Sequence, residues 1–252
     1  MSKAGFENEQ KIKNALEGKK FGEINSNLKK FINFCVKGNT AESIVVRCYK
    51  VEGRYKSDIK IEVGGNNFLV SIKSGGGNSI HQESVKSFID YLSKEFNIKK
   101  VLKKSIKFFV WGDNTWNGKG KKDERMNCIQ INQKYPKCVQ MIKEFFEKKK
   151  KELIERFLLG SSTNDFRPDI IYYGDDKNGL WAKSEDVLKF LCKSENRSKS
   201  IIPIGALTFQ AWNRAISKNS SSEKKRGVIQ VKWPSMKEDM KKIMQDYYGA
   251  FH

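Results

Sequence analysis

The sequence is poor in the residues on which most metalloenzymes and acid–base enzymes depend. Of 252 residues only two are histidine, His81 and His252. That scarcity argues against a histidine-based metal centre and against a catalytic triad. Cysteine is present but unpatterned. The five are Cys35, Cys48, Cys128, Cys138 and Cys192, an odd number with no CxxC spacing. They speak against a disulfide framework and a zinc site, and for a reducing, cytoplasmic setting. No apolar run is long enough to span a bilayer, and the opening MSKAGFENEQ has no signal-peptide core. No GxxxxGK[ST] or GxGxxG motif occurs, so a nucleotide cofactor has no support.

Positive charge is abundant. Against 29 acidic residues stand 49 lysines and arginines, a formal net charge of +20. A surplus of that size attracts polyanions and speeds encounter with them. A scattered lysine bias without a partner is the plainer reading of the same number. Hydrophobic residues make up 38% and aromatics 12%, enough for a packed core rather than a disordered tail. The length fits one domain, with a catalytic core over about residues 1–115 and recognition and helical elements over about 116–252.

Periodicity outlines the elements. Phe6, Ile12 and Leu16 share one stripe of a helix over residues 6–17. Residues 43–49 are β-rich. Ile59, Ile61 and Val63 alternate with Lys60 and Glu62, the mark of a strand, and a second strand runs from Phe68 to Lys73. Ser79 and Gln82 resemble a capping box ahead of a helix carrying Val85, Phe88, Ile89, Leu92 and Phe96. Ile106–Trp111 reads as a buried strand and 117–125 as a polar loop. A long charged helix is expected over 136–159, a strand over 168–174 and a helix over 187–191. Leu207–Ile216 and Val228–Trp233 read as paired strands joined by the loop 217–227. Interleaved helices and strands predict an α/β fold, a mixed sheet flanked by helices with a C-terminal β-ribbon.

The hairpin carries the chemistry. With residues 64–67 as a four-residue loop, Val63 pairs with Phe68, Lys60 with Ser71 and Asp58 with Lys73. The strand period of two puts Asp58, Lys60, Ser71 and Lys73 on the face opposite Ile59, Ile61, Val70 and Ile72. A carboxylate and an ammonium then meet at the open end of a hairpin. A carboxylate there holds a hard divalent cation, and a lysine stabilises a phosphate under attack. Taken alone, the pair also fits an ordinary cross-strand ion pair. The Arg167-Pro168-Asp169 run has no (D/E)xK at strand spacing after it, so Asp169 reads as structural.

Ser57-Asp58 followed by Ser71-Ile72-Lys73 resembles the D…(D/E)xK motif of the PD-(D/E)xK nuclease superfamily. The run VSIKSGGGNSIHQESVKSFIDYL is similar to type II restriction endonucleases, above all the small MspI-type branch with a polar residue before xK. The likeness is specific over about residues 5–16 and 55–92. It departs from the superfamily pattern at Ser57, where proline is usual, and at Ser71, where an acid is usual. It implies a restriction-endonuclease-like core and a type II enzyme that cleaves double-stranded DNA at a specific sequence with Mg2+, or Mn2+ in its place. It also implies Asp58, Ser71 and Lys73 as catalytic residues, the Ile72 backbone carbonyl as a metal ligand, and a cognate DNA methyltransferase in the same system. Ser71 leaves the metal short of one ligand. Glu9, inward on the stripe of the first helix, is the candidate to restore the charge, or else a helix cap or partner of a structural lysine. Glu83 is a second candidate, or a complement to a helix dipole.

Base reading falls to Asn78, His81 and Gln82 after the hairpin, and to Gln210, Asn213, Arg214 and Lys218 on the ribbon. Each also fits a solvated or phosphate-contacting side chain. A structure-specific repair or junction nuclease, a non-catalytic DNA-binding module and a basic RNA-binding protein are the competing readings. Monomer or dimer is left open by the sequence.

Overall fold

The computed structural model describes residues 3–53, 55–75, 79–160, 166–196, 200–214, 216 and 220–249. Its elements begin α1 (Lys3–Leu16), β1 (Lys19–Lys20), α2 (Ser26–Val36), β2 (Val45–Lys50), β3 (Ile59–Val63), β4 (Asn66–Lys73) and β5 (Ser79–Ser84). They continue α3 (Val85–Phe96), α4 (Lys100–Trp111), α5 (Cys128–Lys134), α6 (Pro136–Lys148), α7 (Lys150–Leu159), β6 (Ile170–Gly174) and β7 (Gly179–Lys183). The last are α8 (Ser184–Lys193), β8 (Pro203–Ile204), β9 (Leu207–Ala211), β10 (Val228–Lys232) and α9 (Met236–Tyr248).

These elements divide between two compact units. The first takes Met1–Asn78, Leu158–Leu191 and Ser235–His252; the second takes Ser79–Phe157 and Cys192–Pro234. The expected division near residue 115 falls inside the second unit, and later segments return to join the first.

The first unit is built on a mixed sheet ordered β1-β2-β3-β4-β6-β7, antiparallel except for the parallel pair β4 and β6. Its apolar face packs under α1, α2 and α9. Ile12, Leu16, Leu28, Phe31 and Ile32 from the helices are almost fully buried against Ile59, Ile61, Val70, Ile72 and Tyr172. Asp169 bridges the parallel pair: its Oδ2 accepts from Leu69 N at 2.8 Å and its N–H donates to Leu69 O at 2.7 Å. That is the structural part read from the sequence.

The β3–β4 hairpin corrects one expectation. Gly64 and Gly65 have φ of 55° and 79°, and Val63 pairs with Asn66. Two successive residues in left-handed space make the two-residue turn that matches strand twist, and glycine takes it without strain. The register is therefore two residues tighter than the four-residue loop implied. Lys60 faces Leu69, not Ser71, and Ile59 faces Val70, so Asp58 falls beside Ser71 rather than opposite Lys73. A shift of two leaves every side chain on its face, so the polar set survives the correction.

The second unit holds the antiparallel sheet β5-β10-β9-β8 with α3 to α6. Phe88, Phe109, Phe146, Phe157 and Phe209 form its aromatic core, each buried, with Phe146 and Phe209 edge-to-face at 4.9 Å. The expected ribbon is present as β9–β10, ends at Ala211 instead of Ile216, and is flanked by β5. The expected capping box at Ser79 is instead strand β5. Ser84 caps α3, accepting from Ser87 N at 3.0 Å. The expected strand at Ile106–Trp111 is the end of α4, with Leu102, Ile106, Phe109 and Val110 buried at helical spacing. Residues 136–159 break at Lys149 into α6 and α7.

Candidate active site

Asp58, at the entry to β3, is only 9% exposed and is gripped by β4. Its Oδ2 accepts from Ile72 N at 2.6 Å, from Lys73 Nζ at 3.1 Å and from Ser71 Oγ at 3.3 Å. Lys73 Nζ also donates to Ile72 O at 2.9 Å, which fixes the ammonium beside the carboxylate. The wrong register thus gave the right contact, because Lys73 is a diagonal neighbour of Asp58 on the same face. Ser71 has no exposed surface and serves to orient Asp58. Ser57 ties the entry loop down by donating to Phe166 O at 2.7 Å.

Glu9 comes to this cluster from α1. It is 6% exposed, and its Oε2 is buried without a hydrogen-bond partner among the described residues. Burial raises its pKa, the Asp58 charge raises it further, and Lys73 and Lys50 act the other way. Among the described residues it makes no cap bond and no ion pair. Phe6, expected on the same buried stripe, is 48% exposed and lies against Lys50 Nζ at 3.7 Å from its ring centroid.

A buried carboxylate oxygen with no partner among the described residues is the kind of acceptor that a cation can satisfy. Asp58, Glu9 and the Ile72 carbonyl would offer oxygens only, the donor type suited to a hard divalent ion such as Mg2+. Such an ion is commonly held by one or two carboxylates, with waters completing its shell. Among the described residues no group of three or more His, Cys, Asp or Glu side chains gathers for a metal. A cation here would rest on two carboxylates and a backbone oxygen.

Other expected residues lie elsewhere. Glu83 is on β5 in the second unit, bound by Arg156 Nη2 at 2.8 and 2.9 Å and by His81 Nε2 at 2.7 Å. Burial pushes its carboxyl up, but His81 and Arg156 outweigh burial and hold it below the usual range. That engagement removes it as a metal ligand and turns His81 toward Glu83 and Phe157 rather than outward. Arg214, expected on the ribbon surface, is buried. Its Nη2 donates to Phe109 O at 2.7 Å near the C-terminus of α4, and burial lowers its pKa to about 10. Gln82 is exposed on β5, and Asn213 follows β9 half-buried. Gln210 donates to Gln230 at 2.9 Å, and the register aligns Gln82, Gln230 and Gln210 across β5, β10 and β9. Gln230 was missed, although the alternation Ile229-Gln230-Val231-Lys232 marks a polar strand face. Asn78 and Lys218 lie outside the described residues.

The chain aligns with a crystal structure of the restriction endonuclease MspI in complex with its cognate DNA. The match covers 87% of this chain and 86% of that one, with a TM-score of 0.54 at 15% sequence identity. The fold is restriction-endonuclease-like. No family model matches the chain, and no curated protein matches it by sequence. An MspI-like fold at that identity is a likeness of architecture, and the chemistry rests on the residues themselves.

Proposed function

We propose that this protein is a divalent-metal-dependent endonuclease that hydrolyses phosphodiester bonds in double-stranded DNA at a specific sequence, as a type II restriction enzyme does. The observation that carries the reading is the Glu9–Asp58–Lys73 cluster, its two carboxylates buried and one Glu9 oxygen without a partner among the described residues. MspI was crystallised with its cognate DNA, and the net charge of +20 suits the same polyanion.

Asp58, Glu9 and the Ile72 carbonyl would hold Mg2+, with Mn2+ able to replace it. When bound, the cation supplies charge neutralisation at the phosphate and acidifies water. Lys73 directs its ammonium at the scissile phosphate and the attacking water, and stabilises the charge that builds as the bond breaks. Ser71 and the Ile72 N–H keep the Asp58 carboxylate aimed. Exposed Gln82 and half-buried Gln210, flanking Gln230, carry donors and acceptors suited to base edges. A cognate methyltransferase protects host DNA. No helix of the described residues is long and apolar enough to cross a membrane.

Plasmid digestion tests the proposal. The parent should give discrete fragments in magnesium, and only bind in calcium. Asp58→Asn and Lys73→Ala should bind in calcium and lose at least about 100-fold in magnesium-dependent cutting. Cutting at the parent rate by both variants moves the active site elsewhere, and a smear or a preference for branched substrates favours a junction nuclease.

A further inference from the structure

Helix α4 carries a charge pattern that its own packing does not require. The segment KVLKKSIKFFVW has no acidic residue. Its inner stripe of Leu102, Ile106, Phe109 and Val110 is buried. Its outer stripe is Lys100, Lys103, Lys104 and Lys107, at the i, i+3, i+4, i+7 spacing of one helix face. Lys99 precedes them as an N-cap with no side-chain cap bond. Cations crowd the helix start, where the dipole disfavours them. Among the described residues none of these lysines pairs with an acid. On α6, by contrast, Glu144 and Glu147 interleave with Lys137, Lys143 and Lys148.

Beside the row stands Trp116, 51% exposed, its ring 4.4 Å from Lys104 Nζ. The loop that bears it is pinned. Asp113, fully buried, pairs with Arg226 at 2.9 Å and accepts from Thr115 N and Gly120 N at 3.1 Å. A rigid loop thus holds an indole at the edge of a row of lysines.

We infer that the outer face of α4, with Trp116, is a docking surface for the phosphate backbone of duplex DNA, engaged without regard to sequence. The inference rests on the nuclease reading. From Lys100 to Lys107 the helix rises about 10 Å, a length over which duplex DNA presents about six charges. A membrane is the poorer partner, since a helix lying on a bilayer turns its apolar face outward and this one is buried in the core.

The test compares two full-length variants that each remove three positive charges, so that global charge effects cancel. One is Lys100→Gln, Lys103→Gln, Lys107→Gln; the control is Lys137→Gln, Lys143→Gln, Lys148→Gln. Binding to a random duplex in EDTA is followed from about 50 to 200 mM salt. The α4 variant should flatten the log–log salt slope by about 2 to 3, at roughly 0.9 per lost phosphate contact. Over that fourfold range of salt this is roughly a 15- to 65-fold change. The control should flatten it by less than about 1, and arginine at the three α4 positions should restore the slope. Equal slopes for the two glutamine variants overturn the docking surface and leave the nuclease reading standing. Loss of binding to RNA or to anionic vesicles with duplex binding intact also overturns it. A parent that binds no duplex DNA removes the nuclease reading and this inference together.

Discussion

Replacing Glu9 by glutamine should make the protein more stable and less active at once. The carboxyl is 6% exposed, its Oε2 has no hydrogen-bond partner among the described residues, and Asp58 adds like charge. An acceptor left buried and unsatisfied costs about 1–3 kcal/mol, and more when charged. Its pKa is raised by burial and then by Asp58, so its charge opposes folding increasingly as pH rises above the ordinary value of 4.5. At neutral pH glutamine removes that charge while keeping the shape. A gain of about 1 kcal/mol follows, or roughly 2–4 °C in Tm for a chain of this size. Losing one carboxylate from the cation set should slow magnesium-dependent cleavage by about 10- to 100-fold or more. A further sign separates the role from a structural one. Magnesium should stabilise the parent by about 1.4 kcal/mol at ten times its Kd, raising its Tm, and much less in the variant. Differential scanning calorimetry with and without magnesium, beside single-turnover cleavage, reads all three. A variant that melts lower than the parent, or cuts as fast, refutes the reasoning.

Arg214→Ala should cost stability and leave site choice unchanged, because the guanidinium is buried on Phe109 O and does not face outward. Losing a hydrogen bond from a charged donor costs about 1.5–3 kcal/mol, measurable by urea unfolding. An unchanged midpoint together with relaxed cleavage specificity would return Arg214 to base reading. Glu83→Gln should destabilise by about 1–3 kcal/mol, since it strips the half-buried Arg156 of its charged partner. Because the Glu83 pKa is lowered, its contribution is present above 4.5 and lost as pH falls through the depressed value. Unfolding followed across that acid window should show a stability loss in the parent that is smaller in the variant. Identical pH profiles would show that the cluster contributes nothing.

Much of the site was legible because its signals are periodic. A strand period of two put Asp58, Ser71 and Lys73 on one face, and a helix period turned Glu9 inward; both are local and tolerate a shifted loop. The Asp58–Lys73 pair was therefore found even though the turn was misjudged. Gly64-Gly65-Asn66-Asn67 contains residues that accept left-handed φ throughout, so composition could not say which two make the turn. Contacts between distant segments had no such signal. The parallel pairing of β4 with β6, the seat of Glu83 between His81 and Arg156, and the burial of Arg214 at the end of α4 depend on which surfaces close on one another. Ile106–Trp111 shows the same limit from the other side. A run of six residues fits a buried strand or a buried helix equally by pattern, and packing against Phe209 and the α6 face chose the helix. Sequence alone determined that Asp58, Ser71 and Lys73 share one face of the hairpin, since side-chain direction along a strand is a property of the backbone. Tertiary structure decided which of the remaining charged residues were left to meet a partner, since burial and pairing are properties of the whole chain.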